Sequence, residues 1–250
     1  MIDRICNLFK PKQPPIEIFV RHCHYSKASA HKERFKTFSK EKCFQNLIQT
    51  SFNDSVNITF FLDTFYPTDQ EHFLKNEKRY PVIEMSAGTE AASFLNMLDY
   101  VSAQKYFPET IIYFLEDDYV HKPNWVKVLQ EGFTIPQASY VTLFDHRDKY
   151  FLPSYQDLKS QLFHTDTCHW RQTPSTTNTY AMQFKTLLKS LDVHRACSLE
   201  RKITADHDKF CRLAEMGEML ISSIPGWATH VEPEFVSPCA DWEKILKNTH

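Results

Sequence analysis

The stretch TIIYFLEDDYVHKPNW, residues 110–125, constrains the fold more tightly than any other part of this chain. Its unbroken apolar run, Ile111 to Leu115, is rich in β-branched and aromatic residues. Such a run fits a strand buried on both faces, as in a parallel sheet. Three acids follow at once, Glu116, Asp117 and Asp118, and Pro123 then stands where a helix can begin. Open α/β sheets bind ligands beyond the carboxyl ends of their strands. Adjacent carboxylates there repel one another unless a cation or a hydrogen-bonding ligand sits among them. Hard oxygen donors of this kind suit Mg²⁺ or Mn²⁺ shared with substrate phosphates. The plainer alternative is an acidic turn that caps the next helix.

The flanking pattern supports an α/β fold. Ile16–Val20, Val56–Leu62, Val82–Met85, Ile111–Leu115 and Ser139–Phe144 read as strands. Residues 29–49 read as a helix, with Phe35, Phe38, Cys43, Phe44, Leu47 and Ile48 near a 3.6 period and Lys and Arg opposite. Ser86-Ala87-Gly88 opens a second helix running to about Gln104, and Trp125–Phe133 is a third. The order β-α-β-β-α-β-α-β implies a mostly parallel sheet. Arg21-His22-Cys23-His24 leaves the first strand as a pocket-lining loop; two histidines without further spaced ligands are weak evidence for zinc. Asp63 ends the second strand, where it can accept from a ribose or base, or close an Asx turn.

Beyond Phe144 the chain changes character. Residues 145–178 form a long polar and aromatic connection, read as covering or lining a site. Thr177–Phe184 reads as a strand, Phe184–Leu191 as a helix and Met219–Ile224 as a final strand. Thr204 and Asp206 suit a helix start, and Gly217 suits its end.

Composition excludes several classes. With 42% apolar and 14% aromatic residues in 250, the chain is expected to be globular. A net charge of −2 gives no bulk drive toward nucleic acid. Only 4 glycines are present, and neither GxGxxG nor a Walker A loop occurs. The 7 cysteines are scattered without a CxxC pair, which reads as reduced thiols in a cytoplasmic setting. The N-terminal MIDRICNLFKPK is too short in apolar run for a signal peptide, and no apolar stretch is long enough for a transmembrane segment. Lys10-Pro11-Lys12 is too small to establish membrane attachment and leaves peripheral association open.

Several short motifs, taken in order, resemble a glycosyltransferase of the GT-A fold, closest in pattern to the inverting family-two type. Phe114-Leu115-Glu116-Asp117-Asp118 resembles that family's acidic metal motif, and Gly88, Ala92 and Asn96 resemble its helix after the third strand. Asp206, followed by Arg212-Leu213 and Gly217, resembles its catalytic block, although Ala205 stands where a Glu usually precedes the Asp. The family's first-strand signature is replaced by Arg21-His22-Cys23-His24. The resemblance spans roughly residues 15–242. It implies a GT-A-like, mostly parallel twisted sheet flanked by helices in a single domain. Residues 15–145 would hold the nucleotide-sugar donor, and residues 146–242 would supply the acceptor-binding and catalytic half. It implies Mn²⁺ or Mg²⁺ on Asp118 and His230. Arg21, Asp63, Glu116, Asp117 and Arg171 would contact the donor, and the acceptor would be a glycan or a lipid-linked sugar. Asp206 would be the base, with Asp208 as the alternative. Arg147 joins Arg171 as a phosphate or acceptor contact, and Trp170, Trp227 and Tyr150 would stack on sugars or pack in the core.

Three rival classes remain. A nucleotidyltransferase that makes a nucleotide-sugar shares such a sheet, but usually carries a Gly- and basic-rich loop after its first strand, and this chain lacks one. A non-catalytic glycan-binding module would show no metal-dependent nucleotide binding. A metal hydrolase is weaker, since no HExxH spacing occurs.

Overall fold

The computed structural model describes residues 14–249 apart from 28, 53 and 67–69. The N-terminal stretch weighed as a signal peptide or membrane contact lies outside them. The strands are β1 (Ile16–Cys23), β2 (Val56–Asp63), β3 (Val82–Met85), β4 (Ile111–Glu116), β5 (Tyr119–His121), β6 (Ala138–Thr142), β7 (Leu162–His164), β8 (His169–Gln172), β9 (Tyr180–Gln183), β10 (Met219–Ile224) and β11 (Ala228–His230). The helices are α1 (Lys40–Ser51), α2 (Glu90–Ser102), α3 (Trp125–Gly132), α4 (Asp148–Phe151), α5 (Phe184–Lys189), α6 (Leu191–Ala196), α7 (Asp206–Glu215) and α8 (Trp242–Lys247).

Nine strands form one sheet in the order β3-β2-β1-β4-β9-β6-β10-β8-β7, and β11 pairs with β5 in a separate ribbon. In the sheet, β9 and β8 run against the common direction of the other strands. The architecture is therefore the mostly parallel, helix-flanked α/β sheet expected. The antiparallel insertion of β9 between β4 and β6 was not, because strand order depends on distant partners.

Period-two alternation explains why β4 is apolar throughout. Ile111, Tyr113 and Leu115 join Ile16, Ile18 and Val20 in a core covered by α1 and α3. Ile112 and Phe114 join Phe19 in a second core under α2, α5 and α7. Both faces are dry, so neither alternate position of the strand can be polar.

Several boundaries differ from the sequence expectation. The first helix spans only Lys40–Ser51, because Ser39 accepts the Lys42 amide and caps it there. Residues 24–27 and 29–39 are irregular, and Phe35 and Phe38 pack into a small separate core with Val120, Val231 and Trp242. Helix α2 starts after Thr89, which accepts the Ala92 amide, while Gly88 holds φ +74° in the preceding turn. Pro123 does not open α3; Asn124 precedes that helix at φ +65°. Between β4 and Pro123 lies β5, whose His121 amide donates to Asn46 Oδ1 at 2.7 Å. The 145–178 connection contains α4 and the β7–β8 hairpin, which extends the sheet.

Gly132 sits where α3 meets the sheet. A Cβ there would lie 2.8 Å from Val141 Cγ1 and 2.9 Å from Trp170 Cη2. Gly132→Ala should therefore destabilise the fold by about 1–3 kcal/mol through overpacking, read as a lower denaturation midpoint at unchanged m-value.

Candidate active site

The carboxyl ends of β1, β2 and β4 open into a cavity of about 750 Å³. Its wall includes Arg21, Asp63, the Glu116–Asp118 run, Asp206 and His230. Folding thus brings together the predicted residues of both halves of the chain. Arg171 and Asp208 are exceptions.

Each acid of the run has its own cation. Arg21, buried, places Nη2 3.0 Å from Glu116 Oε1 and Nη1 2.8 Å from Glu90 Oε1. Lys40 Nζ lies 2.7 Å from Asp117 Oδ2, which also accepts the Cys23 amide at 3.2 Å. Arg34 Nη2 and His230 Nε2 both reach Asp118 Oδ2, at 2.9 and 2.8 Å. His230 Nδ1 in turn lies 3.1 Å from Glu232, which Lys32 also meets at 3.0 Å. Burial pushes Glu116 up to about 7 although Arg21 opposes it, because Asp118 and Glu90 add like charge. Burial also works against charge on Asp118 and His230. Their mutual contact prevails, holding Asp118 well below the usual carboxylate range and raising His230 to about 9. The ribbon sets this geometry: His230 ends β11, opposite Tyr119, and the Val231 amide donates to the Asp118 carbonyl.

Asp63 accepts three backbone amides, from Phe65 and Ala87 on Oδ1 and from Gly88 on Oδ2. The Asx turn considered from sequence is therefore present, and it also ties the loop after β3 to the cavity wall. Asp206, at the start of α7, accepts Thr204 Oγ1–H and a Lys209 Nζ donor on Oδ1, each at 2.9 Å. Burial raises its carboxyl while Lys209 lowers it.

Two assignments need correction. Asp208 is exposed and does not line the cavity. Two residues along a helix turn through roughly 200°, so it faces away from Asp206. Arg171 pairs instead with buried Asp145 at 2.8 Å, under the Tyr150 ring, outside the cavity. Exposed Arg147 is also outside it, as are Tyr150, Trp227 and Trp170, the last a fully buried core residue.

Among the described residues, no set of three His, Cys, Asp or Glu side chains is arranged to hold a metal ion unaided. Asp118 Oδ1, however, is buried without a hydrogen-bond partner. An orphaned carboxylate oxygen beside an imidazole fits an ion that takes most of its ligands from phosphates and water, as Mg²⁺ does.

Sequence reasoning missed Arg34, Lys40, Glu90, Lys209 and Glu232. Lys209, one turn after Asp206, and Glu232, just past His230, carried a local signal. Arg34 and Glu90 carried none, because their partners are distant in the chain. His146 and Asp148, 2.8 Å apart, form another part of the wall.

No family model and no curated protein sequence matches this chain. Among solved structures, the bifunctional IspDF from Campylobacter jejuni is 15% identical with a TM-score of 0.45, over 83% of this chain and 49% of that one. This chain thus spans about half the length of that protein. The galactosyltransferase LgtC, in complex with donor and acceptor sugar analogues, is 6% identical with a TM-score of 0.46, over 82% and 72% of the two chains. No helix among the described residues is long and apolar enough to cross a membrane.

His72 stands behind His22, with ring centroids 5.7 Å apart, and accepts the Leu74 amide. Burial lowers it to about 4. Between that value and the unfolded 6.5, the folded state binds fewer protons than the unfolded chain. Stability is therefore full above pH 6.5 and falls as the pH drops toward 4, by about 3 kcal/mol from this group. His72→Asn keeps an acceptor at that position, so the acid-side decline in unfolding free energy should be measurably shallower.

Proposed function

We propose that this chain is a metal-dependent, inverting glycosyltransferase that moves a sugar from a nucleotide-sugar to a glycan or lipid-linked acceptor. One observation carries the reading: a single cavity holds an acid–cation cluster at the strand ends and a separate, partly exposed carboxylate, Asp206, on α7. Its size suits a drug-sized or nucleotide-sized ligand.

The chemistry divides between these groups. The bond from the anomeric carbon to the diphosphate oxygen breaks, and the acceptor oxygen bonds to the opposite face of that carbon. Asp206 takes the acceptor proton as general base. Residues 15–145 bind the donor, with Asp63, Glu116 and Asp117 toward its nucleoside. Residues 146–242 receive the acceptor. Arg21 lines the same wall, but its two glutamate contacts make it a support for the acids as much as a donor contact. Asp118 would hold Mn²⁺ or Mg²⁺, joined by His230 only once its ring gives up the proton shared with Asp118, and the ion would supply positive charge to the leaving diphosphate. Lys27, Lys32 and Arg34, from the segment after β1, add fixed positive charge on the same wall.

That segment also favours a second reading. A nucleotidyltransferase needs a basic loop after its first strand, and residues 24–39 supply basic side chains, though no glycine.

The reading is tested by thermal shift with UDP-, GDP-, CMP- and dTDP-sugars, with and without Mn²⁺. One donor should stabilise the chain in a metal-dependent way, by about 2.7 kcal/mol at a hundredfold excess over Kd. No stabilisation by any donor would contradict it. Asp118→Ala should remain folded and lose both the metal-dependent shift and transfer. Asp206→Asn should keep the shift while turnover falls about 10²–10⁴-fold, and Asp208→Asn should match the wild type. The reverse order would overturn the base assignment.

A further inference from the structure

Lys209 is fully buried and ends in an ion pair with Asp206. Its Nζ donates to Asp206 Oδ1 at 2.9 Å, Asn178 Oδ1 at 2.5 Å and Tyr180 Oη at 3.4 Å. An ammonium has three N–H donors, and here three acceptors meet them. The Phe94 and Tyr180 rings lie 4.7 and 5.1 Å from it, so the cation sits in an aromatic cage. Surface i,i+3 pairs contribute little, but a buried ammonium demands a matched anion. That anion is Asp206.

The hydrogen bonds to Asp206 are one-sided. Lys209 and Thr204 both end on Oδ1, and no described residue donates to Oδ2. One oxygen is locked and the other is left for the cavity. Thr204 is anchored in turn, its amide donating to Glu90 Oε2 at 2.7 Å, while Asn178 donates to Glu90 Oε1 at 2.8 Å. Glu90 bears on Arg21 and so on Glu116. The side chain on α7 is thereby held in register with the acid cluster on β4. We propose that Lys209 is a positioning residue for Asp206: it fixes Oδ1, presents Oδ2 to the acceptor hydroxyl, and keeps the carboxylate ionised. The proposal rests on the transferase reading and deepens it by adding a residue that touches no substrate.

The charged groups around Asp206 are Lys209 from its own helix, Glu90 from α2 and Arg21 from β1. Burial and Glu90 both raise its carboxyl, while Lys209 opposes them. Lys209→Gln keeps a donor and removes only the charge. In that variant the Asp206 carboxyl, followed by ¹³C NMR and assigned with Asp206→Asn, should titrate at least about one pH unit higher than in the wild type. The acid limb of turnover should move up by the same interval, so that activity lost at neutral pH returns as the pH rises. KM for the donor should stay within about threefold. A purely structural role gives a loss that does not change with pH, and that result, or an unmoved titration, overturns the proposal. If Lys209→Gln does not fold, Asn178→Ser takes its place: it loosens Nζ and keeps the charge. Turnover should then fall with the acid limb unmoved, and unchanged turnover overturns positioning. If the wild type transfers no sugar, the transferase reading has failed first. If it does transfer while titration and pH profile are unmoved in Lys209→Gln, only the assignment to Lys209 falls.

Discussion

Everything in this molecule depends on placing three carboxylates at the end of one buried strand. At 4 Å, two like charges cost about 4 kcal/mol at an effective dielectric of 20, a large fraction of a domain's net stability. The chain answers with cations from separate elements: Arg21 from β1, Arg34 from the irregular segment before α1, Lys40 from the first turn of α1, and His230 from β11. Because each cation comes from a different part of the chain, the cluster assembles only when the sheet, the ribbon, α1 and the irregular segment 29–39 are all in place. Local charge balance and global topology are thus the same constraint.

The balance is incomplete in two places. Glu116 is pushed up to about 7, so it stands between charged and neutral near physiological pH. Asp118 keeps one buried oxygen without a partner. A cluster satisfied everywhere would be a structural feature; one that leaves an acceptor open inside a cavity is suited to an incoming positive charge. Across the cavity Asp206 shows the same arrangement, one oxygen tied down by Thr204 and Lys209 and the other open.

Much of the sheet was legible in the sequence because apolar periodicity is local. Strands β1, β2, β4 and β10, and the helix with its first turn at Asp206, fall where their patterns place them. The failures have physical causes. Residues 29–38 look helical because Phe35 and Phe38 keep a helical spacing, yet Ser39 offers a better cap and the phenylalanines find a core of their own beside Trp242. Strand β9 looks like any other strand, and nothing local says that it runs antiparallel between β4 and β6. Of the site, the acids, Asp63, Asp206, His230 and Arg21 were named from the sequence and line one cavity, whereas Arg34, Lys40 and the pairing of Arg21 with Glu116 were not foreseen. Arg21 and Glu116 meet across 95 residues, and Lys32 and Glu232 across 200. Arg171 is the converse case: a guanidinium that suits phosphate by its chemistry but is already taken by Asp145.

The most direct measurement is the identity of the products. Purified chain, Mn²⁺, the stabilising nucleotide-sugar and an acceptor glycan or lipid-linked sugar are incubated, and the reaction is followed by ³¹P and ¹H NMR. The account predicts release of a nucleoside diphosphate in step with a new glycoside of inverted anomeric configuration. Release of pyrophosphate from a nucleoside triphosphate and sugar phosphate, with no glycoside formed from any donor, would contradict it and assign the same cavity to nucleotidyl transfer.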